Sequence, residues 1–238
     1  MVQSTKAQTD AVPLTPASAA PRFTISPTTP TDLPDVINLF TLYAESLNID
    51  LSFQSFAEEL AGLPGKYAPP AGQILLARRD VRAPSTTPES MGSDCLVPKL
   101  EGELNGDREL KSRSSQGGGE ISDIPAEALG CIAVRPITFA PPFDVGFDRH
   151  TKKCEMKRLY TLPSTRGQGV GKALIGEVVR VAVELGYDEM YLDTLASMKA
   201  ALRAYERVGF VRTKAYYHNP NEDVVFLVKN LKEEEGNN

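Results

Sequence analysis

The chain has 238 residues, 41% of them hydrophobic and 24% charged, proportions that supply a sizeable core and exclude wholesale disorder. Its 26 basic and 31 acidic residues give a formal charge of −5, which removes any global electrostatic reason to bind nucleic acid or an anionic membrane. Three cysteines, Cys95, Cys131 and Cys154, form no CxxC pair, which argues against a disulfide framework or a thiolate zinc site.

Residues 1–21 are Ser, Thr, Pro and Ala with few large apolar side chains, and read as a disordered tail. A short strand is expected over Arg22 to Ser26. Thr31 is expected to cap a helix with Val36, Phe40, Tyr43 and Leu47 on one face. Ser52 is expected to cap a second, short helix carrying Phe53, Phe56 and Leu60, which ends at the Gly62 to Gly65 cluster. Gln73 to Arg79 and Leu129 to Arg135 read as antiparallel strands. The Pro-, Ser- and Gly-rich stretch 80–127 would hang from the hairpin joining them as a low-complexity insertion. Without the tail and the insertion, roughly 170 residues remain, the size of one compact domain.

Cys154 to Thr161 alternates as a strand should, with Met156, Arg158 and Tyr160 on one face and Glu155, Lys157, Leu159 and Thr161 on the other. A glycine-rich turn follows, then a helix with the buried stripe Leu174, Val178, Val181 and Leu185, ended by Gly186. Glu189 to Asp193 is the next strand. Ser197 is expected to cap a helix presenting Met198, Leu202, Tyr205 and Val208, closed by Gly209. Phe210 to Lys214 and Val224 to Val228 complete the sheet, and 232–238 forms an acidic tail. No run reaches the ~18 apolar residues of a membrane span and the first twenty residues lack a secretory pattern, so a cytoplasmic location is expected, with the nucleus left open.

The strongest chemical signal is Arg166-Gly167-Gln168-Gly169-Val170-Gly171-Lys172, placed between a strand and a helix. Alternate glycines let a backbone approach a ligand, and a helix start offers unpaired N–H groups and a positive dipole end, together a cradle for pyrophosphate. The dinucleotide fingerprint GxGxxG fails, because Lys172 or Leu174 stands at the third glycine. The Walker loop fails as well, with Arg166 and Ala173 where it needs glycine and a hydroxyl.

Arg166-x-x-Gly169-x-Gly171 in this setting resembles the acetyl-CoA loop of the GNAT superfamily of N-acetyltransferases. Cys154 to Tyr160 is similar to that family's fourth strand, Tyr191-Leu192-Asp193-Thr194 to its fifth, and Ala201 to Phe210 to its "A..LY...GF" helix. The resemblance implies a single α/β (α+β) domain over 22–231, with a mixed, mainly antiparallel central sheet and helices on both faces. It also implies acetyl-CoA as cosubstrate, with no metal, and direct attack of an amine on the thioester.

On that resemblance, the backbone of Gln168 to Lys172, with Gly167 and the Arg166 and Lys172 side chains, would hold the pyrophosphate. Leu159, Tyr160 and Thr161 would run beside the pantetheine arm, with an N–H near Tyr160 polarising the carbonyl. Tyr205 corresponds to the tyrosine that reprotonates the CoA sulfur, and Glu155 to a glutamate that removes the amine proton in some members; a plain solvated strand carboxylate explains Glu155 equally well. Met198 departs from the asparagine common at that place. Lys199 and Arg203 reach toward a 3′-phosphate or are simply solvated.

His150 and His218 lack metal-ligand spacing and read as loop residues. Cys154 and Cys131 read as buried thiols, and Asp193 as a residue that orients its loop or caps a turn. The acceptor site is expected between the first two helices, the loop 137–153 and the connection 216–223, with Tyr43, Phe139, Phe143, Phe147, Tyr216 and Tyr217 as aromatic walls. The expected acceptor is a small primary amine. Peptide or lysine acceptors and a non-catalytic CoA-binding module are the alternatives, and a homodimer is left open.

Overall fold

The computed structural model describes residues 22–47, 49, 51–80 and 126–232. The expected tails and nearly all of the 80–127 insertion, with Cys95, lie outside the described residues, as does the Phe53 side chain. Seven strands form one mixed sheet in the order β1-β2-β3-β4-β5-β7-β6. They are β1 Phe23–Pro27, β2 Gln73–Arg79, β3 Ala128–Pro136, β4 Lys153–Thr161, β5 Glu189–Leu195, β6 Val211–Arg212 and β7 Val224–Asn230. Neighbours are antiparallel except β4 and β5, which run parallel. β2 and β3 pair from Gln73 with Val134 to Arg78 with Ala128, the hairpin from which the 80–127 stretch was expected to hang.

Helices α1 (Leu33–Leu47) and α2 (Phe56–Ala61) cover one face, and α3 (Val170–Glu184) and α4 (Lys199–Arg207) the other. The α1 side buries Val36, Leu39, Phe40, Tyr67, Ile74 and Leu76. The α3 side buries the larger set, in which Leu174, Val178 and Val181 meet Leu75, Ile132, Val134 and Met156. Even- and odd-numbered residues of β2 divide between these clusters, as a sheet buried on both faces requires.

Three local expectations change. The turn before α1 is closed by Thr29 rather than Thr31: the N–H and the hydroxyl of Thr29 both donate to Asp32 Oδ2 at 2.7 Å, leaving Thr31 inside a 3₁₀ turn over Pro30–Asp32. The second helix is broken, because Ser55 adopts φ 53 between a 3₁₀ turn at Ser52–Gln54 and α2. α4 starts after Met198 and not after Ser197, and the expected strand at Phe210 to Lys214 shrinks to two residues.

The largest correction is in β4. Cys131 pairs with Tyr160 while Ala133 pairs with Lys157, so Arg158 and Leu159 together oppose Ile132. Arg158 adopts φ 59 to make this bulge, and a bulge reverses the alternation beyond it. Leu159 therefore packs with Met156 on the α3 side, whereas Tyr160 joins the α1-side core and Arg158 reaches Glu59 of α2.

Candidate active site

β4 and β5 stay together only for Lys153 with Glu189, Cys154 with Met190 and Glu155 with Tyr191. Beyond Glu155 the two strands part. Their separation opens a cleft of about 60 Å³, lined on one side by Met156 to Leu159 and on the other by Leu192 to Leu195, with Tyr43, Met198 and Tyr205 closing it. Parted parallel strands leave main-chain donors and acceptors without a ladder partner, a surface suited to an amide-containing arm.

The glycine loop follows the C-terminal end of β4, the strand that walls the cleft. A turn at Pro163–Thr165 is pinned by Thr165 Oγ1 donating to Leu162 O at 2.8 Å and by Gln168 Nε2 donating to Ser164 O at 2.9 Å. Gly167 and Gly169 take φ 77 and 83, a left-handed conformation that side chains other than glycine adopt only with strain. A Cβ on either glycine would meet nothing within 4 Å, so the backbone faces open space there. The first bond within α3 is Ala173 N–H to Gly169 O at 3.0 Å, which leaves the N–H groups of Gly169 to Lys172 without a partner among the described residues. The Gln168 N–H is the exception to the expected set, since it donates to Thr165 O at 3.2 Å. Arg166 and Lys172 are exposed at the rim, and these groups fit a pyrophosphate.

Tyr205 projects from α4 into the cleft wall, with its ring 5.9 Å from that of Phe210. Burial raises its phenol pKa, helped by the nearby Tyr43 and Asp193 and opposed by Lys157, so the hydroxyl stays protonated and able to donate. Of the residues expected along the arm, Leu159 lines the cleft; Tyr160 and Thr161 pair with Cys131 and Gly130 of β3.

Glu155 stands across the sheet on the α1 side, its side chain 3% exposed. Arg135 Nε and Nη2 donate to Oε2 at 2.9 and 2.7 Å, and Tyr216 Oη donates to Oε1 at 2.8 Å. Lys157 Nζ lies 3.5 Å from Oε1 and donates to Asp193 Oδ1 at 2.8 Å. Tyr217 Oη donates to Asp193 Oδ2 at 2.9 Å, and Asn219 Nδ2 to Tyr217 Oη at 2.8 Å. Arg135, Glu155, Lys157 and Asp193 thus alternate in sign from β3 through β4 to β5. For Asp193, burial alone raises the carboxyl pKa, but the Lys157 ammonium with its hydrogen bond, and that of Tyr217, outweigh it and hold the pKa below its ordinary value of 3.8. Asp193 therefore orients the Tyr217 loop.

Glu155 and Lys157 also wall a cavity of about 230 Å³ with Gln54, Lys66, Thr138, Phe139 and Tyr216. Lys157 borders both this cavity and the cleft. Of the aromatics expected around an acceptor, Phe139, Tyr216 and Tyr217 line the cavity and Tyr43 the cleft. Phe147 lines a separate surface hollow and packs 4.5 Å from Phe139; Phe143 borders none of these spaces. Gln54 and Arg135 carry no functional signal in the sequence, where nothing distinguishes them from solvated polar residues, and Lys157 is legible there only as a same-face neighbour of Glu155. Among the described residues no cluster of metal-ligating side chains exists. Cys131 and Cys154 are buried free thiols whose pKa values burial raises, which makes them poor nucleophiles. Lys199, Arg203, His150 and His218 are exposed.

Residues 112–210 match the sequence model of the acetyltransferase (GNAT) family. An uncharacterized N-acetyltransferase of Schizosaccharomyces pombe is 33% identical over 198 residues, covering 83% of this chain and 88% of its own length. Another, from Dictyostelium discoideum, is 33% identical over 210 residues, covering 82% and 92%. The solved structure of Arabidopsis thaliana NAA60 in complex with acetyl-CoA superposes with a TM-score of 0.51 at 16% identity, covering 88% of this chain and 99% of that one. The chain belongs to the GNAT family of acetyltransferases. It is an acyltransferase whose cosubstrate is acetyl-CoA.

Proposed function

We propose that the protein transfers the acetyl group of acetyl-CoA to the primary amine of a small molecule. The observation that carries this reading is the join at Lys157 between the β4–β5 cleft and a cavity of about 230 Å³, a volume just below the range of drug-sized ligand sites and suited to a smaller molecule. Acetyl-CoA supplies a thioester-activated acetyl group. In the transfer the amine nitrogen forms the new C–N bond, the C–S bond breaks, nitrogen loses one proton and sulfur gains one.

The chain's own groups match those needs. The unpaired N–H groups of Gly169 to Lys172, with Arg166 and Lys172, hold the pyrophosphate. Leu159 flanks the pantetheine arm. Tyr205, kept protonated by burial, donates the proton to sulfur. Glu155 takes the amine proton, directly or through water. It already accepts hydrogen bonds from Arg135 and Tyr216, and a carboxylate offers about four lone-pair positions, so one remains for this task.

The test is calorimetric titration with acetyl-CoA, followed by thiol release in a panel of small amines and short peptides. Binding with turnover of a free amine supports the reading. Turnover of peptides alone would move the acceptor to a peptide N-terminus or a lysine side chain, and tight binding with no turnover would leave a CoA-binding module.

A further inference from the structure

Among the described residues, two buried side-chain polar atoms lack a hydrogen-bond partner, Gln54 Oε1 and Tyr67 Oη. Leaving such a group unpaired costs about 1–3 kcal/mol, and the two residues that carry them line one cavity of about 200 Å³ between α2 and β3. Tyr67 is 1% exposed there, held by the edge of Phe40 at 6.0 Å and by the Arg135 guanidinium 6.0 Å from its ring. Gln54 also borders the cleft and the acceptor cavity, so the three spaces meet at its side chain.

We propose that this cavity is a subsite for an uncharged amide group on the acceptor, read by Gln54 and Tyr67. The inference rests on the acetyltransferase reading above and names the acceptor class. The charges buried in its walls are already matched. Glu59 receives both Arg158 Nε and Nη2, at 2.7 and 3.1 Å, and Arg135 is spent on Glu155. Glu58 and Lys66 also line the cavity but are exposed, so a charge seated at the buried end beside Tyr67 would be desolvated. The orphaned atoms are neutral, one amide oxygen that accepts and one phenol that donates. An amide group brings the complementary pair, an N–H for Gln54 and a carbonyl for Tyr67. A single water or hydroxyl, at roughly 30 Å³, would leave most of the space empty.

The test uses ω-amino amides with one to four methylene groups, each beside the matching ω-amino acid and branched alkylamine. Thiol release from acetyl-CoA and calorimetric binding to the protein–CoA complex are read for the wild type, Tyr67→Phe and Gln54→Ala. At one chain length the amide should surpass both analogues about tenfold in kcat/KM. Tyr67→Phe should reduce that preference about 3- to 10-fold, the equivalent of one neutral hydrogen bond. Its Tm should hold or rise, because the variant removes an unpaired hydroxyl. Acetylation with no amide preference, or a preference that survives Tyr67→Phe, overturns the subsite while the acetyltransferase reading stands, and means that water completes the two groups. Amide binding that is lost in Tyr67→Phe without any turnover would uphold the subsite and overturn the small-amine reading. Neither binding nor turnover would overturn both.

Discussion

Lys157 keeps its charge although only 7% of its side chain is exposed, because Asp193 stands 2.8 Å away and Glu155 3.5 Å away. Asp193→Asn removes the nearer partner and leaves Glu155 at 3.5 Å, so the loss falls below the roughly 3 kcal/mol of a fully stranded buried cation. The Asp193 pKa is lower in the folded protein than its ordinary 3.8, so its contribution is full above about pH 4 and is lost as the pH falls through the folded value. Denaturant unfolding should therefore show a constant gap between wild type and Asp193→Asn from pH 5 to 8 that closes below pH 4. Tyr205 differs in kind, since its hydroxyl is needed only when sulfur takes a proton. Tyr205→Phe should lower kcat about 100-fold, within the range of a lost general acid, with the acetyl-CoA Kd held within twofold. Tyr205 was legible because its whole helix carries the pattern. The environment of Glu155 was not, because its partners lie 20 and 61 positions away, at Arg135 and Tyr216.

The bulge sets how the elements around the cleft are joined. By turning Arg158 toward α2, it places a guanidinium with a 1% exposed side chain on Glu59, 5.5 Å from the Tyr43 ring and 4.9 Å from that of Phe56. Arg158 thus joins the strand that walls the cleft to α2 by a buried ion pair and to α1 by the Tyr43 ring. Glu59→Gln keeps the shape and removes the countercharge, so it should destabilise the protein by about 3 kcal/mol in urea unfolding. It should raise the acceptor KM more than it alters the acetyl-CoA Kd, since the glycine loop makes no use of the pair. The sequence concealed this arrangement for a definite reason. Strict alternation over Cys154 to Thr161 is the ordinary strand pattern, and the one-residue slip at Arg158 depends on φ 59, which a side chain as long as arginine gives no sign of adopting. The broken second helix has the same origin, at Ser55 with φ 53.

At the scale of the whole molecule, the order of strands and helices was readable because it rests on periodicity and glycine placement, which are local. What joins distant elements was not, since an ion pair between residues 59 and 158 leaves no mark on either segment. The 80–127 stretch tests where the domain's own contacts end. β2 and β3 remain paired to their tips: Arg79 N–H donates to Glu127 O at 2.9 Å, and Arg79 Nε meets Glu127 Oε2 at 2.7 Å. The chain thus leaves and re-enters the sheet at adjacent positions, a gap that a turn of a few residues can span. Replacing roughly 45 residues with such a turn shortens the closed loop by about three and a half doublings, worth up to about 2 kcal/mol in favour of the folded state. The shortened protein should unfold in one cooperative transition with an equal or higher Tm and bind acetyl-CoA with unchanged Kd. A lower Tm or a second transition would mean that the stretch packs on the domain and contributes to its core.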